Sequence, residues 1–220
     1  MNIVFDLDGT LIDSAPDIQF VAATVLRGLG KEELTLDETR GFVGEGSAVF
    51  VSRMMAARGI AATPHNHAQL HTQFLALYEC SVDRAKFYPG VLEALAALKA
   101  AGHRLGLCTN KPELPTRAVL RHMGLEPMFD VVIAGGMLDS RKPEPAMLWH
   151  TIEELGGGKA LFVGDSEIDA ETARRAGVLF ALYSGGYRKT PIGKMYQNWV
   201  FDGFDALEGI VGEAMVVDFY

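Results

Sequence analysis

Two carboxylates follow the first apolar run of the chain, and their spacing suggests metal or acid/base chemistry. Ile3–Phe5 is typical of a buried strand, and Asp6 and Asp8 come directly after it, with Gly9 and Thr10 behind them. Two acids beside a hydrophobic strand are costly to bury unless a partner compensates their charge. A divalent cation is the expected partner, because hard oxygen ligands suit Mg²⁺. The simpler interpretation is a turn that Asp and Gly merely shape.

Polar residues of complementary types follow further apolar runs. The runs typical of buried strands are Leu105–Cys108, Val131–Ala134, Leu161–Val163 and Leu179–Tyr183. Thr109 and Asn110 follow the first of them, and Lys142 lies in the loop after the second. Asp165, with Asp169 shortly behind it, follows the third. Because ligands of open α/β sheets bind beyond the carboxyl ends of strands, these side chains are expected at one sheet edge together with the first two carboxylates.

Helical spacing of apolar residues separates the apolar runs. The helices predicted in this way are Val91–Ala101, Leu114–Met123, Ala146–Leu155 and Ile168–Ala176. Val200–Phe201 is the candidate for a sixth, shorter strand. Strands that alternate with helices predict a parallel sheet covered by helices on both faces, which is a Rossmann-like α/β core.

One long segment without convincing strands interrupts this alternation. Its predicted helices are Ile18–Leu29, Ser47–Arg58 and His67–Tyr78. A helical insert of this size, placed between the first strand and the first core helix, predicts a separate all-helical domain over residues 15–86. The α/β core then comprises residues 1–14 and 87–220. Hinges are expected at Ile12–Ser14 and Phe87–Gly90.

Composition excludes several classes of partner. The net charge is −8, whereas nucleic-acid binding requires a basic surface and anionic membranes attract basic segments. No apolar run approaches the roughly 18 residues of a membrane span, and no signal peptide is recognised. Cys80 and Cys108 are far apart and lack metal-binding spacing. The sequence therefore predicts a cytoplasmic protein without structural disulfides, either a monomer or a homodimer.

The order of these motifs resembles that of the haloacid dehalogenase-like hydrolase superfamily. The matching motifs are Asp6-Leu7-Asp8-Gly9-Thr10, Thr109-Asn110, Lys142-Pro143, and Gly164-Asp165 with Asp169. The helical insert occupies the position of this superfamily's cap domain. Further details resemble the phosphoglycolate phosphatase-like subfamily, namely Leu11-Ile12-Asp13-Ser14, Lys142-Pro143-Glu144-Pro145, Gly164-Asp165-Ser166 and Gly186-Tyr187-Arg188.

The resemblance implies a phosphatase for a small phosphorylated metabolite, with 2-phosphoglycolate as the best single substrate. It implies an aspartyl-phosphate intermediate on Asp6 and Asp8 as the general acid/base. It also implies Mg²⁺ held by the Asp6 carboxylate, the Asp8 backbone carbonyl and Asp165. Asp169 is a further ligand, a neighbour of the ligands or only a helix cap.

The same resemblance assigns the phosphate-binding groups. Thr109 and Asn110 are expected to hold the phosphoryl oxygens through hydroxyl and backbone N–H donors. Lys142 is expected to neutralise charge on Asp6 and on the phosphate. The simpler alternatives are a strand-end turn for the first pair and a solvated loop position for the lysine.

The stretch from Arg40 to Ser47 is predicted to be the substrate-facing loop of the cap. Gly44 and Gly46 allow a close backbone approach, and Arg40 is expected to meet a carboxylate of the substrate. The alternative is an ordinary turn in which Ser47 caps a helix.

Three histidines in the insert, His65, His67 and His71, invite comparison with a metal site. His67 and His71 are spaced to share one helix face. No carboxylate or cysteine lies near them in the sequence, so a surface helix is the favoured interpretation.

Other functions explain parts of the pattern. A hexose phosphomutase shares the fold and both aspartates, but it needs cap groups that hold the phosphorylated enzyme while its intermediate reorients, and none is identified. A pyrophosphatase, or a phosphatase for another small metabolite, differs in substrate alone. A haloacid dehalogenase needs neither Mg²⁺ nor Asp8, and a binding protein has no need of all four motifs.

Overall fold

The computed structural model describes residues 1–217. The strands in this range are β1 (Asn2–Phe5), β2 (Ile12–Asp13), β3 (Lys86–Phe87), β4 (Arg104–Pro112), β5 (Val131–Gly135), β6 (Ala160–Gly164), β7 (Leu179–Tyr183) and β8 (Trp199–Phe201). Six of them form a parallel sheet in the order β5-β4-β1-β6-β7-β8. The predicted parallel α/β sheet is therefore confirmed.

Helices alternate with the strands of this sheet and also fill the long segment between β2 and β3. The helices within residues 1–217 are α1 (Ala15–Gly28), α2 (Leu36–Phe42), α3 (Ser47–Ala57), α4 (Pro64–Tyr78), α5 (Val91–Ala100), α6 (Glu113–His122), α7 (Ala146–Glu154), α8 (Glu167–Ala176) and α9 (Leu207–Val216). None of them is long and apolar enough to cross a bilayer.

Strand β1 occupies the middle of the sheet, with β4 on one side and β6 on the other. Ile3 and Phe5 are fully buried in the hydrophobic cluster on one face, and Val4 is fully buried in the cluster on the opposite face. Successive strand side chains point to opposite faces, so both faces of β1 are covered, as parallel sheets require. The residues after Phe5 consequently emerge at the centre of the sheet's carboxyl edge.

Helices α1 to α4 pack around a hydrophobic cluster of their own. Its largest members include Leu26, Phe50, Met54, Phe74 and Tyr78. The chain enters and leaves this helical part through the antiparallel pair of β2 and β3, in which Ile12 lies opposite Phe87. The two chain connections therefore run side by side.

Three sequence predictions need correction. The predicted loop from Arg40 is helical as far as Phe42, because Thr35 and Glu38 form a capping box that starts α2. Strand β4 continues past Cys108 to Pro112, with an irregular register between these two residues. Helix α9 and the β2–β3 pair were not predicted.

Candidate active site

The loop after β1 turns tightly at the sheet's carboxyl edge. Leu7, which separates Asp6 from Asp8 in the sequence, is buried in the core. Asp6 and Asp8 both line one cavity. Gly9 has a φ of +90°, and a Cβ atom there would lie 2.6 Å from Asp165 Oδ2. Only glycine tolerates this backbone and this close approach, so the turn lets the carboxylate of Asp165 lie directly behind the loop.

Lys142 connects the first carboxylate to Asp169. Its Nζ lies 2.8 Å from Asp6 Oδ1 and donates a hydrogen bond of 2.6 Å to Asp169 Oδ1. Burial opposes the charge of Lys142, but the carboxylates of Asp169 and Asp6 outweigh burial and raise its pKa above the ordinary value. The residue is 2% exposed, which excludes the alternative of a solvated loop lysine.

Asp169 also completes the capping box of helix α8, whose N-cap residue is Ser166. Its Oδ2 accepts hydrogen bonds from the backbone N–H and the hydroxyl of Ser166, at 3.1 and 2.6 Å. The Asp169 backbone N–H donates to Ser166 Oγ at 3.3 Å, which completes a capping box. Both carboxylate oxygens of Asp169 are thus engaged, one by the helix start and one by Lys142.

Asp165 is enclosed by backbone and hydroxyl donors. Thr10 Oγ1 donates to its Oδ1 at 2.8 Å, and the backbone N–H of Tyr187 donates to its Oδ2 at 2.6 Å. Burial raises the pKa of Asp165 well above its ordinary value, and the nearby carboxylates of Asp169 and Asp6 raise it further. A site this crowded with negative charge is stable only when protons or a cation compensate it.

The carboxylates of Asp6, Asp165 and Asp169 form a cluster that fits a divalent cation. One carboxylate oxygen from each residue lies within 4.8 Å of the other two, and Lys142 supplies one positive charge against three carboxylates. Burial, resisted by Lys142, raises the pKa of Asp6 to about 6. Asp6 Oδ1 has no hydrogen-bond partner of good geometry among the described residues. A hard divalent cation would satisfy this oxygen and the excess negative charge.

Asp8 lies in a different environment from Asp6. Lys111 Nζ donates to Asp8 Oδ1 at 3.1 Å and also donates to the hydroxyl of Tyr78. Lys111 is 6% exposed, and its ammonium lies 4.1 Å from the centre of the Tyr78 ring. Neither Lys111 nor Tyr78 was assigned a role from the sequence. Alternation with Thr109 along an extended chain was an available signal for Lys111.

Asn110 uses its side chain to connect three segments. Its Nδ2 donates to the carbonyl oxygens of Gly44 and Lys142 at 2.9 and 3.0 Å, and its Oδ1 accepts from the Lys142 backbone N–H at 2.9 Å. Thr109 is buried beside it, and both residues line the cavity. The amide of Asn110 thereby ties the loop before α3 and the loop of Lys142 to the end of β4.

The glycine-containing segment between α2 and α3 borders the cavity. Gly44 and Gly46 have φ values of +119° and +87°, and both line the cavity. Arg40 is not among the lining residues. Its Nη2 donates to Asp13 Oδ2 at 2.9 Å, and this hydrogen bond raises the pKa of Arg40. Arg40, a residue of α2, therefore pairs with Asp13 of β2. The Tyr187 hydroxyl donates to the other oxygen of Asp13 at 2.6 Å.

The histidines of the insert do not assemble a metal centre. His67 and His71 lie on one face of α4 with ring centres 5.8 Å apart. His67 Nε2 lies 2.9 Å from the carbonyl oxygen of Ala48, and His71 Nε2 lies 2.8 Å from Ser47 Oγ. Within residues 1–217 the only cluster of potential metal ligands is the carboxylate cluster described above. His65 is exposed.

The cavity itself lies between the carboxyl edge of the sheet and the helical part. It contains about 440 Å³ of empty space, which includes the solvent at its open mouth. Its apolar wall comprises Ile18, Val43, Phe50, Phe74 and Pro112. Asp6, Asp8, Thr109 and Asn110 line the same cavity.

Proteins of known function are similar to almost the whole chain. The chain is 43% identical over 211 residues to a phosphoglycolate phosphatase of Cereibacter sphaeroides, covering 96% of this chain and 97% of that protein. It is 42% identical over 209 residues to a phosphoglycolate phosphatase of Rhodobacter capsulatus, covering 95% of both.

A solved structure extends the similarity to three dimensions. The crystal structure of a predicted phosphoglycolate phosphatase from Haemophilus somnus superposes with a TM-score of 0.89 at 29% identity, covering 95% of this chain and 96% of that one. The profile of the haloacid dehalogenase-like hydrolase family matches residues 1–177. This span contains all four motifs and the carboxylate cluster, and the chain therefore belongs to the haloacid dehalogenase-like hydrolases.

Proposed function

We propose that the protein is a Mg²⁺-dependent phosphatase that hydrolyses 2-phosphoglycolate through an aspartyl-phosphate on Asp6. The observation that carries this proposal is that two neighbouring carboxylates, Asp6 and Asp8, have different cationic partners. Asp6 lies in the buried cluster beside Lys142, whereas Asp8 faces Lys111 and the cavity. One carboxylate is therefore suited to attack a phosphoryl group beside a cation, and the other to exchange protons with the substrate.

In the first step a carboxylate oxygen of Asp6 attacks phosphorus, and the bond from phosphorus to the ester oxygen breaks. Asp8 gives its proton to the leaving alkoxide as that bond breaks. In the second step Asp8 takes a proton from water while the water oxygen attacks phosphorus. The bond to Asp6 then breaks, which releases phosphate and regenerates the carboxylate.

Charge neutralisation is the second requirement of phosphoryl transfer. Lys142, held by Asp169, offsets the charge of Asp6 and of the incoming phosphate. Asp6, Asp165 and the backbone carbonyl of Asp8 would hold Mg²⁺. When bound, the ion lowers the repulsion between carboxylate and phosphate and orients both.

The remaining phosphoryl oxygens need donors that stay fixed during the reaction. The Thr109 hydroxyl and the Asn110 backbone N–H are the proposed donors. The side chain of Asn110 is committed to Gly44 and Lys142, so its part is to position the loops around the phosphate.

Residues 15–86 are proposed to act as a cap over a core of residues 1–14 and 87–220. Two features support this division. Helices α1 to α4 have their own hydrophobic cluster, and they join the sheet through the adjacent strands β2 and β3. Closure of such a cap would exclude water from the reacting groups.

The substrate is inferred from two sources. The curated relatives similar to almost the whole chain bear the name phosphoglycolate phosphatase. The apolar wall confines the space beside the catalytic carboxylates, which favours a short phosphomonoester over a nucleotide.

The test is phosphate release from 2-phosphoglycolate, sugar phosphates, nucleotides and pyrophosphate, each with Mg²⁺ and with chelator. Metal-dependent release with the highest kcat/KM for 2-phosphoglycolate is expected. Preference for another compound would reassign the substrate. Isomerisation of a hexose phosphate without net phosphate release would replace the hydrolase with a mutase.

A further inference from the structure

The cavity is lined by a buried lysine, Lys111, that the proposed phosphoryl-transfer steps do not use. Lys111 is the only lysine or arginine among the described residues that line the cavity. Its side chain is 3% exposed, and a lysine is almost never buried this far unless it is paired. The carboxylate that pairs it here is Asp8, the proposed acid/base. Lys142 is the cationic side chain beside Asp6, and Lys111 lies beside Asp8 instead. Lys111 therefore requires a separate explanation.

The surroundings of Lys111 place two hydrogen-bond donors side by side. The ammonium contacts Asp8 Oδ1 at 3.1 Å and Oδ2 at 3.4 Å, and it donates to the phenol oxygen of Tyr78. Burial raises the pKa of Tyr78 well above its usual value, so the phenol keeps its proton. Among the described residues no acceptor receives that proton. An ammonium and a phenol O–H thus border the same apolar-walled space.

We infer that Lys111 and Tyr78 form the subsite that recognises a carboxylate on the substrate, one methylene away from the phosphate ester oxygen. This inference rests on the proposed function and adds the group that selects the substrate class. Lys111 contacts Asp8 when substrate is absent and exchanges that carboxylate for the carboxylate of the substrate. Tyr78 donates to the second oxygen of the same group.

The distances support this substrate length. The ester oxygen must come within hydrogen-bond reach of Asp8 to receive its proton, which is about 2.6–3.2 Å. Lys111 Nζ lies 3.1 Å from that same carboxylate. A group on Lys111 is therefore close to the ester oxygen, so a short spacer between the carboxylate and the phosphate ester fits best.

The subsite joins the two parts of the protein. Lys111 belongs to β4 of the sheet, and Tyr78 is the last residue of α4 in the helical part. A carboxylate held by both would tie the helices to the sheet only when the correct substrate is present. The charge is also compatible with the neighbouring cluster, because the substrate brings its carboxylate to the ammonium and not to the three buried acids.

Lys189 is the competing candidate. It borders a second opening beside Asp6 and Asp8, but its side chain is exposed. Exposed charges are screened by water and salt, so they select poorly between substrates. Lys189→Met is therefore the matched control for Lys111→Met.

The first test compares 2-phosphoglycolate with 2-hydroxyethyl phosphate, in which a neutral hydroxymethyl group replaces the carboxylate. The measured quantity is the ratio of kcat/KM for the two substrates. Lys111→Met should lower this ratio at least about 10-fold, since hydrogen bonds to charged groups are the stronger class. Lys111→Arg should restore most of the ratio, Tyr78→Phe should lower it less, and Lys189→Met should leave it unchanged.

Using the ratio removes effects that reach the reaction through Asp8. Such an effect lowers kcat/KM for both substrates equally and leaves the ratio unchanged. An unchanged ratio in both Lys111→Met and Tyr78→Phe would overturn the inference. A ratio lost in Lys189→Met but kept in Lys111→Met would overturn it as well.

A binding experiment separates this inference from the proposed function. Calorimetry with Mg²⁺ compares 3-phosphonopropionate, a non-hydrolysable mimic of 2-phosphoglycolate, with propylphosphonate, which lacks the carboxylate. Wild type should bind the carboxylated compound at least about 10-fold more tightly, and Lys111→Met should lose this preference. This result would support the subsite even if no phosphomonoester were hydrolysed. Hydrolysis of 2-phosphoglycolate without any such preference would keep the phosphatase and reject the subsite.

Discussion

Lys142 and Asp169 form a buried ion pair with a hydrogen bond of 2.6 Å between Nζ and Oδ1. The other oxygen of Asp169 accepts a hydrogen bond from the hydroxyl of Ser166, the N-cap residue of helix α8. The helix start therefore fixes the carboxylate, and the carboxylate fixes the lysine beside Asp6. This chain of contacts makes Asp169 a positioning residue for Lys142, and both of its carboxylate oxygens already accept hydrogen bonds from the protein.

Asp169→Asn should lower kcat by about 10- to 100-fold, because Lys142 loses the charge that holds it in place. Asparagine can still accept from Ser166, so the start of the helix should survive. The Kd for Mg²⁺, measured by calorimetry, should change by less than about threefold. A direct metal ligand would behave differently, since losing one would weaken metal binding strongly.

Ser166→Ala is the matched control for this substitution. It removes the capping hydroxyl but keeps the Lys142–Asp169 pair, so it should cost about 1 kcal/mol of unfolding free energy. The kcat of this variant should stay within about twofold of wild type. A kcat loss as large as that of Asp169→Asn would show that the loss comes from weakened helix capping and not from the broken ion pair.

Asp6→Asn should reduce turnover below about one per cent of wild type, because an amide cannot serve as the phosphoryl acceptor. Asp8→Asn should reduce turnover to a similar extent, since it removes the proton donor. The two variants should differ in metal binding. Asp6→Asn should weaken Mg²⁺ affinity, whereas Asp8→Asn should largely preserve it because its proposed ligand is a backbone carbonyl. Turnover above that level in Asp6→Asn would refute covalent catalysis by Asp6.

The pKa of Asp6 predicts how stability depends on pH. In the folded protein this pKa is raised from 3.8 to about 6, so between these values the folded state binds more protons than the unfolded chain. Stability from this group is therefore fully present below pH 3.8 and is lost as pH rises through about 6. The asparagine variant has no such proton to lose.

Thermal unfolding in chelator should show this difference directly. Wild type and Asp6→Asn should have similar Tm values near pH 4, and Asp6→Asn should be several degrees more stable at pH 7. Saturating Mg²⁺ should raise the Tm of wild type more than that of the variant, because a cation offsets the charge of the ionised carboxylate. A Tm difference that does not change with pH would mean that Asp6 is ionised throughout this range.

The parallel sheet could be predicted because its signal is local. Ile3–Phe5 and Leu161–Val163 are apolar throughout, as strands buried on both faces must be. The carboxyl ends of parallel strands meet at one edge, so Asp6, Asp165 and Lys142 could be grouped without knowing any distance. That edge predicts that these side chains lie near one another, whereas their burial and individual ion pairs do not follow from it.

Contacts between distant segments could not be predicted from one sequence. Lys111 and Asp8 are 103 residues apart, and nothing near Lys111 indicates which carboxylate it meets. Arg40 was expected in a loop facing the substrate. The capping box of Thr35 and Glu38 instead starts helix α2, which includes Arg40. That box was a readable signal, whereas the direction in which Arg40 points depends on how α2 packs.

Arg40→Ala tests where this guanidinium acts. In the structure it donates to Asp13 Oδ2 at 2.9 Å and lies outside the cavity lining. For both the carboxylated substrate, 2-phosphoglycolate, and the neutral 2-hydroxyethyl phosphate, its removal should change KM by the same small factor. Because the pair is partly exposed, the cost in unfolding free energy should be about 0.2–1 kcal/mol. Arg27→Ala, which removes a more exposed pair with Glu33 at 3.5 Å, is the control for general surface effects. A rise in KM confined to the carboxylated substrate would return Arg40 to the substrate-binding role expected from sequence, and it would require a cap movement that frees Arg40 from Asp13.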